Sequence, residues 1–216
     1  MDTLAARRQM VDQQIRTWEV LDPRVLDVFG AVPREAFVPA SYRDLAFADA
    51  PIPIGFGQSM LAPVLQGRIL QALGVGDTDT VLEVGSGTGY LSACLSLLGG
   101  VVRSLDIHAA FTATAAANLR AVPNARVQFE TRDAFEGVLA AEYDAIAVTG
   151  SMPVYDTRFE KALAVGGRLF VIVGAAPVMD AMLVRRVDGA EWTRESLFET
   201  VIEPLVNAPL PLGFVF

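Results

Sequence analysis

Three alternating glycines, Gly85-Ser86-Gly87-Thr88-Gly89, follow a short apolar run and the acid Glu83. Glycine is required where a backbone turns sharply and approaches a ligand without a Cβ in the way. Two more acids are spaced for the same ligand. Asp106 lies 17 residues after Gly89, and Asp133 lies further on. A carboxylate at a strand end can accept hydrogen bonds from both hydroxyls of a ribose. Asp133 can accept from an adenine amino group while Ala134 donates through its backbone. Each feature alone has a plainer reading: a tight strand-to-helix turn, or an N-cap, with Asp133 capping a helix over 134–139. Taken together they point to a nucleoside-containing ligand.

The elements that must position these groups follow from apolar patterning. Val81, Leu82 and Val84 read as a buried strand, and Tyr90 to Leu98 as the helix after the glycine turn. Strand and helix then alternate: Val101–Ile107 strand, Ala109–Ala121 helix, Arg126–Glu130 strand, Tyr143–Thr149 strand, Tyr155–Ala164 helix, Gly167–Gly174 strand. Such alternation implies right-handed crossovers and a parallel sheet covered on both faces. Ala181–Val187 and Ser196–Ile202 read as strands with no helix between them, an antiparallel addition at the sheet edge. Before Gly76 the chain reads as mostly helical. Asp22-Pro23 opens a helix over Arg24–Ala31, Leu45 to Gln58 is an extended Pro- and Gly-rich loop, and Pro63–Leu73 is a helix stopped by Gly74. The fold class is α/β, a doubly wound, mostly parallel sheet with a helical N-terminal extension. Residues 1–76 form the extension and 77–216 the ligand-binding core. In such sheets ligands bind at the carboxyl ends of strands, where Gly85–Gly89, Asp106 and Asp133 all fall.

Composition narrows the function. Hydrophobic residues make up 52% of the 216, yet no apolar run reaches the roughly 18 residues of a membrane span. Buried parallel strands account for the apolar content. Met1-Asp2-Thr3-Leu4 has no cationic region before an apolar core, so no secretory signal is expected. The single cysteine, Cys94, excludes an intrachain disulfide framework and a cysteine-cluster metal site. No metal is expected, and the cytoplasm is the expected location. The net charge of −8, from 17 basic and 25 acidic residues, leaves no basic stripe to follow phosphates, so no nucleic-acid partner is expected.

The spacing G-x-G-x-G with a leading acid is similar to that of S-adenosylmethionine-dependent methyltransferases, and differs from the dinucleotide fingerprint G-x-G-x-x-G. A dehydrogenase would also need a proton-handling group, and the only histidine, His108, sits beside the expected ribose site. His108 is read as partly exposed, and Cys94 as a small core residue.

Further blocks carry a narrower resemblance, from about Met10 to Leu205. They are Met10-Val-Asp-Gln-Gln-Ile-Arg16, Asp22-Pro23-Arg24-Val25-Leu26, Val32-Pro33-Arg34-Glu35-Ala36-Phe37-Val38-Pro39, Pro53-Ile54-Gly55-Phe56-Gly57-Gln58, Val148-Thr149-Gly150-Ser151-Met152-Pro153 and Gly166-Gly167-Arg168-Leu169. With these the chain resembles the protein-L-isoaspartate O-methyltransferases. The resemblance implies S-adenosylmethionine as cofactor and a Rossmann-like methyltransferase core. It also implies a protein or peptide substrate whose L-isoaspartyl α-carboxylate is methylated, the ester then closing to a succinimide. The cofactor site it implies comprises Gln58, Ser59, Met60, Glu83, Gly85, Ser86, Gly87, Gly89, Asp106, Ile107, Asp133, Ala134 and Thr149. A monomer is the default state.

Where the family has Thr-Ile-Ser-x-Pro, this chain has Ser59-Met60-Leu61-Ala62-Pro63, so Leu61 stands at the family's catalytic serine position. Leucine donates no hydrogen bond. In an extended segment Ser59 and Leu61 face one side, which makes Ser59 a possible substitute hydroxyl. The family's Gly-Asp-Gly after the third core strand is Arg132-Asp133-Ala134 here, and its glutamine after Gly174 falls at Ala181, beside Asp180. Leu61 leaves two other functions open: a relative with another acceptor, or a non-catalytic cofactor-binding protein. The apolar end, Pro209 to Phe216 with Phe214 and Phe216, is expected to dock on its own domain.

Overall fold

The computed structural model describes residues 2–139 and 142–211. Side-chain carboxylates start the first two helices. Asp2 accepts from the N–H groups of Leu4 and Ala5 ahead of α1 (Thr3–Met10). Asp22 accepts from Arg24 ahead of α2 (Pro23–Ala31), whose first residue is the expected proline. A single π-turn over Val11–Ile15 and a 3-10 turn over Arg16–Trp18 join the two. The segment expected to be a loop contains a short antiparallel hairpin, β1 (Ile52–Gly55) with β2 (Gln58–Met60). Gly55, Phe56 and Gly57 all have positive φ. Glycines on either side let the chain take this left-handed path and reverse direction. Next comes α3 (Pro63–Leu73), which ends at Gly74 with φ +51.

β3 (Thr80–Val84) is the middle of the main sheet's parallel part. On one side lie β4 (Val101–Asp106) and β5 (Val127–Thr131), and on the other β6 (Tyr143–Met152) and β7 (Leu163–Ala175), all parallel. β8 (Val178–Asp188) and β9 (Glu191–Thr200) extend the edge in antiparallel sense. The order is β5-β4-β3-β6-β7-β8-β9, so strand order reverses next to β3, where the glycine turn leaves the sheet. Three helices fall among these strands: α4 (Tyr90–Leu98), α5 (Ala109–Asn118) and α6 (Arg158–Lys161).

Alternate side chains of the central strands feed two apolar clusters, as a period of two requires. Val81, Ala145, Ala147, Phe170 and Ile172 join Met10, Phe29, Phe37 and Leu70 on one face. Leu82, Val84, Ile146, Val148, Leu169 and Val171 join Phe159 on the other. The N-terminal helices therefore share a core with the sheet.

One expected helix differs. The one over Tyr155–Ala164 shrinks to the single turn of α6, because Leu163 already pairs with Tyr143 as β7 begins. Strand pairing overrides the helix preference of Ala162 and Ala164. No helix forms over 134–139. The Asp133 carboxylate instead accepts from Phe135 N–H at 2.7 Å in a local turn. Of the apolar end, only Pro209 to Pro211 is described, and Leu210 is exposed. The expected docking of Phe214 and Phe216 lies outside the described residues. Among the described residues no helix is long and apolar enough to cross a membrane.

Leu70 is fully buried where α3 meets the shared core. Leu70→Ala should cost about 2–5 kcal/mol, measured as a lowered urea midpoint with unchanged slope; a loss below about 1 kcal/mol would show that α3 is not part of the cooperative core.

Candidate active site

A cleft opens at the carboxyl ends of β3 and β4, where the order reversal predicts it. Its walls include Glu83, Gly85, Ser86 and Gly87 from the glycine turn, Asp106, Ile107 and His108 beyond β4, and Asp133, Ala134 and Phe135 beyond β5. Gln58, Ser59, Met60 and Leu61 close it from the hairpin side, and Thr149, Leu205 and Val206 from the opposite side. Of the residues expected to bind a cofactor, only Gly89 is not in the wall. It has φ +87 and starts α4, and a Cβ there would come within 2.9 Å of Ala115. Close packing against α5 therefore requires glycine at this position.

The glycine turn is held from below. Thr149 Oγ1 lies 2.9 Å from the carbonyl oxygens of Val84 and Gly85 and donates to them, so its proton faces the turn and not the cleft. A Cβ on Gly85, whose φ is +100, would fall 2.3 Å from that oxygen. Gly87 N–H and His108 N–H each donate to the Asp106 carboxylate at 3.0 Å. Desolvation by burial raises the Asp106 pKa, and these backbone donors oppose the shift. Each oxygen keeps a free lone pair, the requirement for accepting from ribose hydroxyls. Asp133 is likewise half-used: its second oxygen accepts from Asn207 at 2.7 Å.

Glu83 is wholly buried. One carboxylate oxygen accepts from Ser92 and, at 2.5 Å, from Ser104, while the other, Oε1, is buried with no partner. Burial pushes the carboxyl up to about 7 against the two serine hydrogen bonds. An orphaned buried oxygen in the wall of a cleft suits a cationic or N–H donor group of a ligand.

At the far end, three aromatic rings meet. Phe56 from the hairpin tip stacks on His108 with centroids 4.3 Å apart, and Phe111 of α5 approaches both edge-on at 5.3 Å. His108 is partly exposed, as expected, and it ties the hairpin to the β4 side of the cleft. Cys94 is buried in α4.

On the acceptor side, the Ser59 hydroxyl donates to Glu203 at 2.8 Å. Its proton is therefore directed at a carboxylate instead of being free to serve as the substitute donor. Glu203 belongs to a segment that sequence patterning did not single out. Ser151 N–H donates to Glu203 O, and Leu205 N–H to Ser151 O, both at 2.9 Å, which lays residues 203–206 along the end of β6. Gly150 permits this approach, since a Cβ there would meet Leu205 at 2.8 Å. Beyond this segment lies a second cavity, a mostly apolar groove that includes Trp18, Pro51, Leu65, Arg68, Met179 and Phe198. Leu61 is the one described residue in the walls of both cavities.

Leu61 is fixed by a residue whose role the sequence patterning missed. Arg34 is wholly buried and donates to the carbonyl of Leu61 at 2.7 Å, to the carbonyl of Ala46 at 2.9 Å and to the side chain of Gln66. Its guanidinium lies 4.8 Å over the Tyr90 ring. A basic residue just after a proline is an ordinary surface pattern, and nothing in its neighbours signals burial.

Comparison with known proteins adds to this geometry. Residues 5–208 match the family described as Protein-L-isoaspartate(D-aspartate) O-methyltransferase (PCMT). A protein-L-isoaspartate O-methyltransferase from Koribacter versatilis is 35% identical over 202 residues, covering 93% of this chain and 90% of its own length. One from Rhodopseudomonas palustris is 37% identical over 211 residues, covering 94% and 97%. A solved structure from Plasmodium falciparum, described as such an enzyme in complex with S-adenosyl-L-homocysteine, superposes with a TM-score of 0.82 at 17% identity. It covers 92% of this chain and 97% of that one, a likeness of fold.

The Glu83 carboxyl has an ordinary value of 4.5 when exposed and about 7 when folded. The folded protein thus keeps a proton that the unfolded chain releases between those values. Stability is highest below pH 4.5 and falls as pH rises to 7, by on the order of 3 kcal/mol from this group alone. Glu83→Gln lacks the titration. The stability difference between wild type and variant, from denaturation of ligand-free protein, should therefore move against the wild type across pH 4.5–7. Parallel curves would sink this assignment.

Proposed function

The chain belongs to the protein-L-isoaspartate O-methyltransferase family, and from that membership we propose that it methylates the α-carboxylate of L-isoaspartyl residues in proteins or peptides, with S-adenosylmethionine as donor. The observation that carries this reading is the meeting of two cavities at Leu61. One is lined by a glycine turn and strand-end carboxylates, and the other is an open groove able to take an extended chain.

S-adenosylmethionine, when bound, supplies a methyl group already activated by a positively charged sulfur. The residues present fit it. The free lone pairs of Asp106 suit the ribose hydroxyls, Asp133 and the Ala134 backbone suit the adenine edge, and the unpaired Oε1 of buried Glu83 suits a cationic group. Gly85 and Gly87 leave the close approach open. Gln58, Ser59, Met60 and Ile107 complete the wall, with Thr149 holding the turn beneath it.

An ionised carboxylate is already a nucleophile and needs no general base. The chain's contribution is alignment and the exclusion of water. Arg34 fixes the backbone at Leu61. The buried side chains of Met60 and Leu61 keep that neck dry, and a dry neck strips water from the incoming carboxylate. Leu61 supplies no hydrogen bond there. Glu203, bonded to Ser59, sets the polar rim on the groove side.

Residues 1–76 are proposed to act as the acceptor-side unit, since the hairpin, Leu61 and the start of α3 all come from them. A cytoplasmic location and a monomeric state remain part of this reading, as do the lack of a nucleic-acid or membrane partner and of a metal. The net charge of −8 supports the exclusion of nucleic acid.

The test uses methyl-labelled S-adenosylmethionine and two matched peptides, one isoaspartyl and one aspartyl. Label should appear on the isoaspartyl peptide alone; cofactor binding without transfer to it would remove the proposed reaction. Leu61→Ser should raise the rate, by up to about 10²-fold if a donor at this position stabilises the transition state, and an unchanged rate would show that the donor is not what limits this enzyme. Asp106→Ala should weaken S-adenosylhomocysteine binding by about 1–3 kcal/mol, read by calorimetry. Unaltered affinity would remove Asp106 from the ribose site.

A further inference from the structure

The acceptor groove has an uneven charge pattern. Asp49, Glu199 and Glu203 line it, and Arg68 is its only cation among the described residues. Two of the acids are already engaged. The Asp49 carboxylate accepts from Val64 N–H at 3.1 Å, and Glu203 accepts from Ser59. Arg68, by contrast, enters none of the ion pairs among the described residues. Instead its guanidinium carbon lies 3.9 Å over the ring of Phe198 on β9. A cation–π contact of this kind restrains the guanidinium, and none of its N–H donors has a hydrogen-bond partner among the described residues, so they are available to an anion.

Position adds to this. Arg68 is in α3, whose first residue, Pro63, lies two residues after Leu61. Five residues of helix separate Pro63 from Arg68 by about 7.5 Å along the axis. Arg68 and Leu61 line the same groove, so the cation and the leucine face one cavity. A carboxylate entering this groove passes three acidic side chains and arrives at a leucine. A cation close by is what makes that approach favourable, and one is present, restrained and unpaired.

We propose that Arg68, held over the Phe198 ring, is the receptor that draws the acceptor's carboxylate into the groove that Leu61 lines. The proposal rests on the acceptor class given above, and it assigns the recognition of that carboxylate to α3 and β9 instead of to the 58–62 segment.

The experiment is calorimetric titration of the full chain, saturated with S-adenosylhomocysteine. One titrant is a peptide with a single L-isoaspartyl residue among neutral neighbours, and the other is the same peptide with the α-carboxylate replaced by a carboxamide. Wild type should prefer the carboxylate roughly tenfold or more, and Arg68→Met should bring that preference to within about threefold. In turnover, Arg68→Met should raise KM about tenfold and leave kcat within about threefold, the pattern of lost uniform binding. Arg68→Lys should keep part of the preference. Phe198→Leu should keep the charge and lose part of the preference through a freer guanidinium. A merely structural role would weaken both peptides alike and leave their ratio unchanged. The proposal is overturned if Arg68→Met discriminates as strongly as wild type, or if wild type shows no preference. A carboxylate preference lost in Arg68→Met, in a wild type that transfers no methyl, would support the receptor and strike only the proposed reaction.

Discussion

A buried cation with no ion-pair partner among the described residues ties the hairpin's flanks, α3 and α4 together. Arg34 spends its donors on the carbonyls of Ala46 and Leu61 and on Gln66, and lies over Tyr90. Charges are costly to bury unless their hydrogen bonds are met. Here they are met by three separate pieces of chain: the segment before the hairpin, the segment after it and α3. A fourth piece, α4, contributes the ring. Each of those pieces also touches the cleft or the groove. The position of the neck between the cavities follows from satisfying one guanidinium.

The neck explains how a site with no evident base can serve a transfer reaction. The polar groups around it are engaged within the protein. Thr149 faces the underside of the glycine turn, Ser59 faces Glu203, and the backbone of Leu61 faces Arg34. Leu61, which lines both cavities, is apolar and buried, as is Met60 beside it. Such a surface aligns two reactants that already carry opposite charges, and contributes by geometry more than by proton movement.

Much of this was legible in the sequence because it is local. The turn from β3 into α4 is written in glycines, α3 begins and ends at the residues that punctuate it, and the alternation in β3, β6 and β7 sorts side chains to the two clusters. The reading failed where distant chain decides. Ala162–Ala164 would prefer a helix, but Leu163 is taken by Tyr143 on the neighbouring strand. The hairpin at 52–60 reads as irregular because Pro51, Pro53 and two glycines hide a three-residue left-handed turn. The constraint that Ala115 of α5 places on Gly89 is equally invisible in the glycine spacing. Residues 203–206 carry no motif at all. They enter the wall because Ser151, more than fifty residues earlier, offers them a backbone pairing.

That last contact has a consequence for how the protein comes into being. The cleft wall draws on Ile54 at one extreme and Val206 at the other, with the glycine turn between. Chains emerge from the ribosome in order and fold as units once complete. The glycine turn is made well before the segment that closes over it, so a nascent chain carries the motif long before it carries the pocket. Only the finished chain offers a full set of contacts. A ligand that binds the completed form and not the partial ones stabilises it by mass action, so the pool of that ligand would favour whole molecules over fragments that hold the same signature residues.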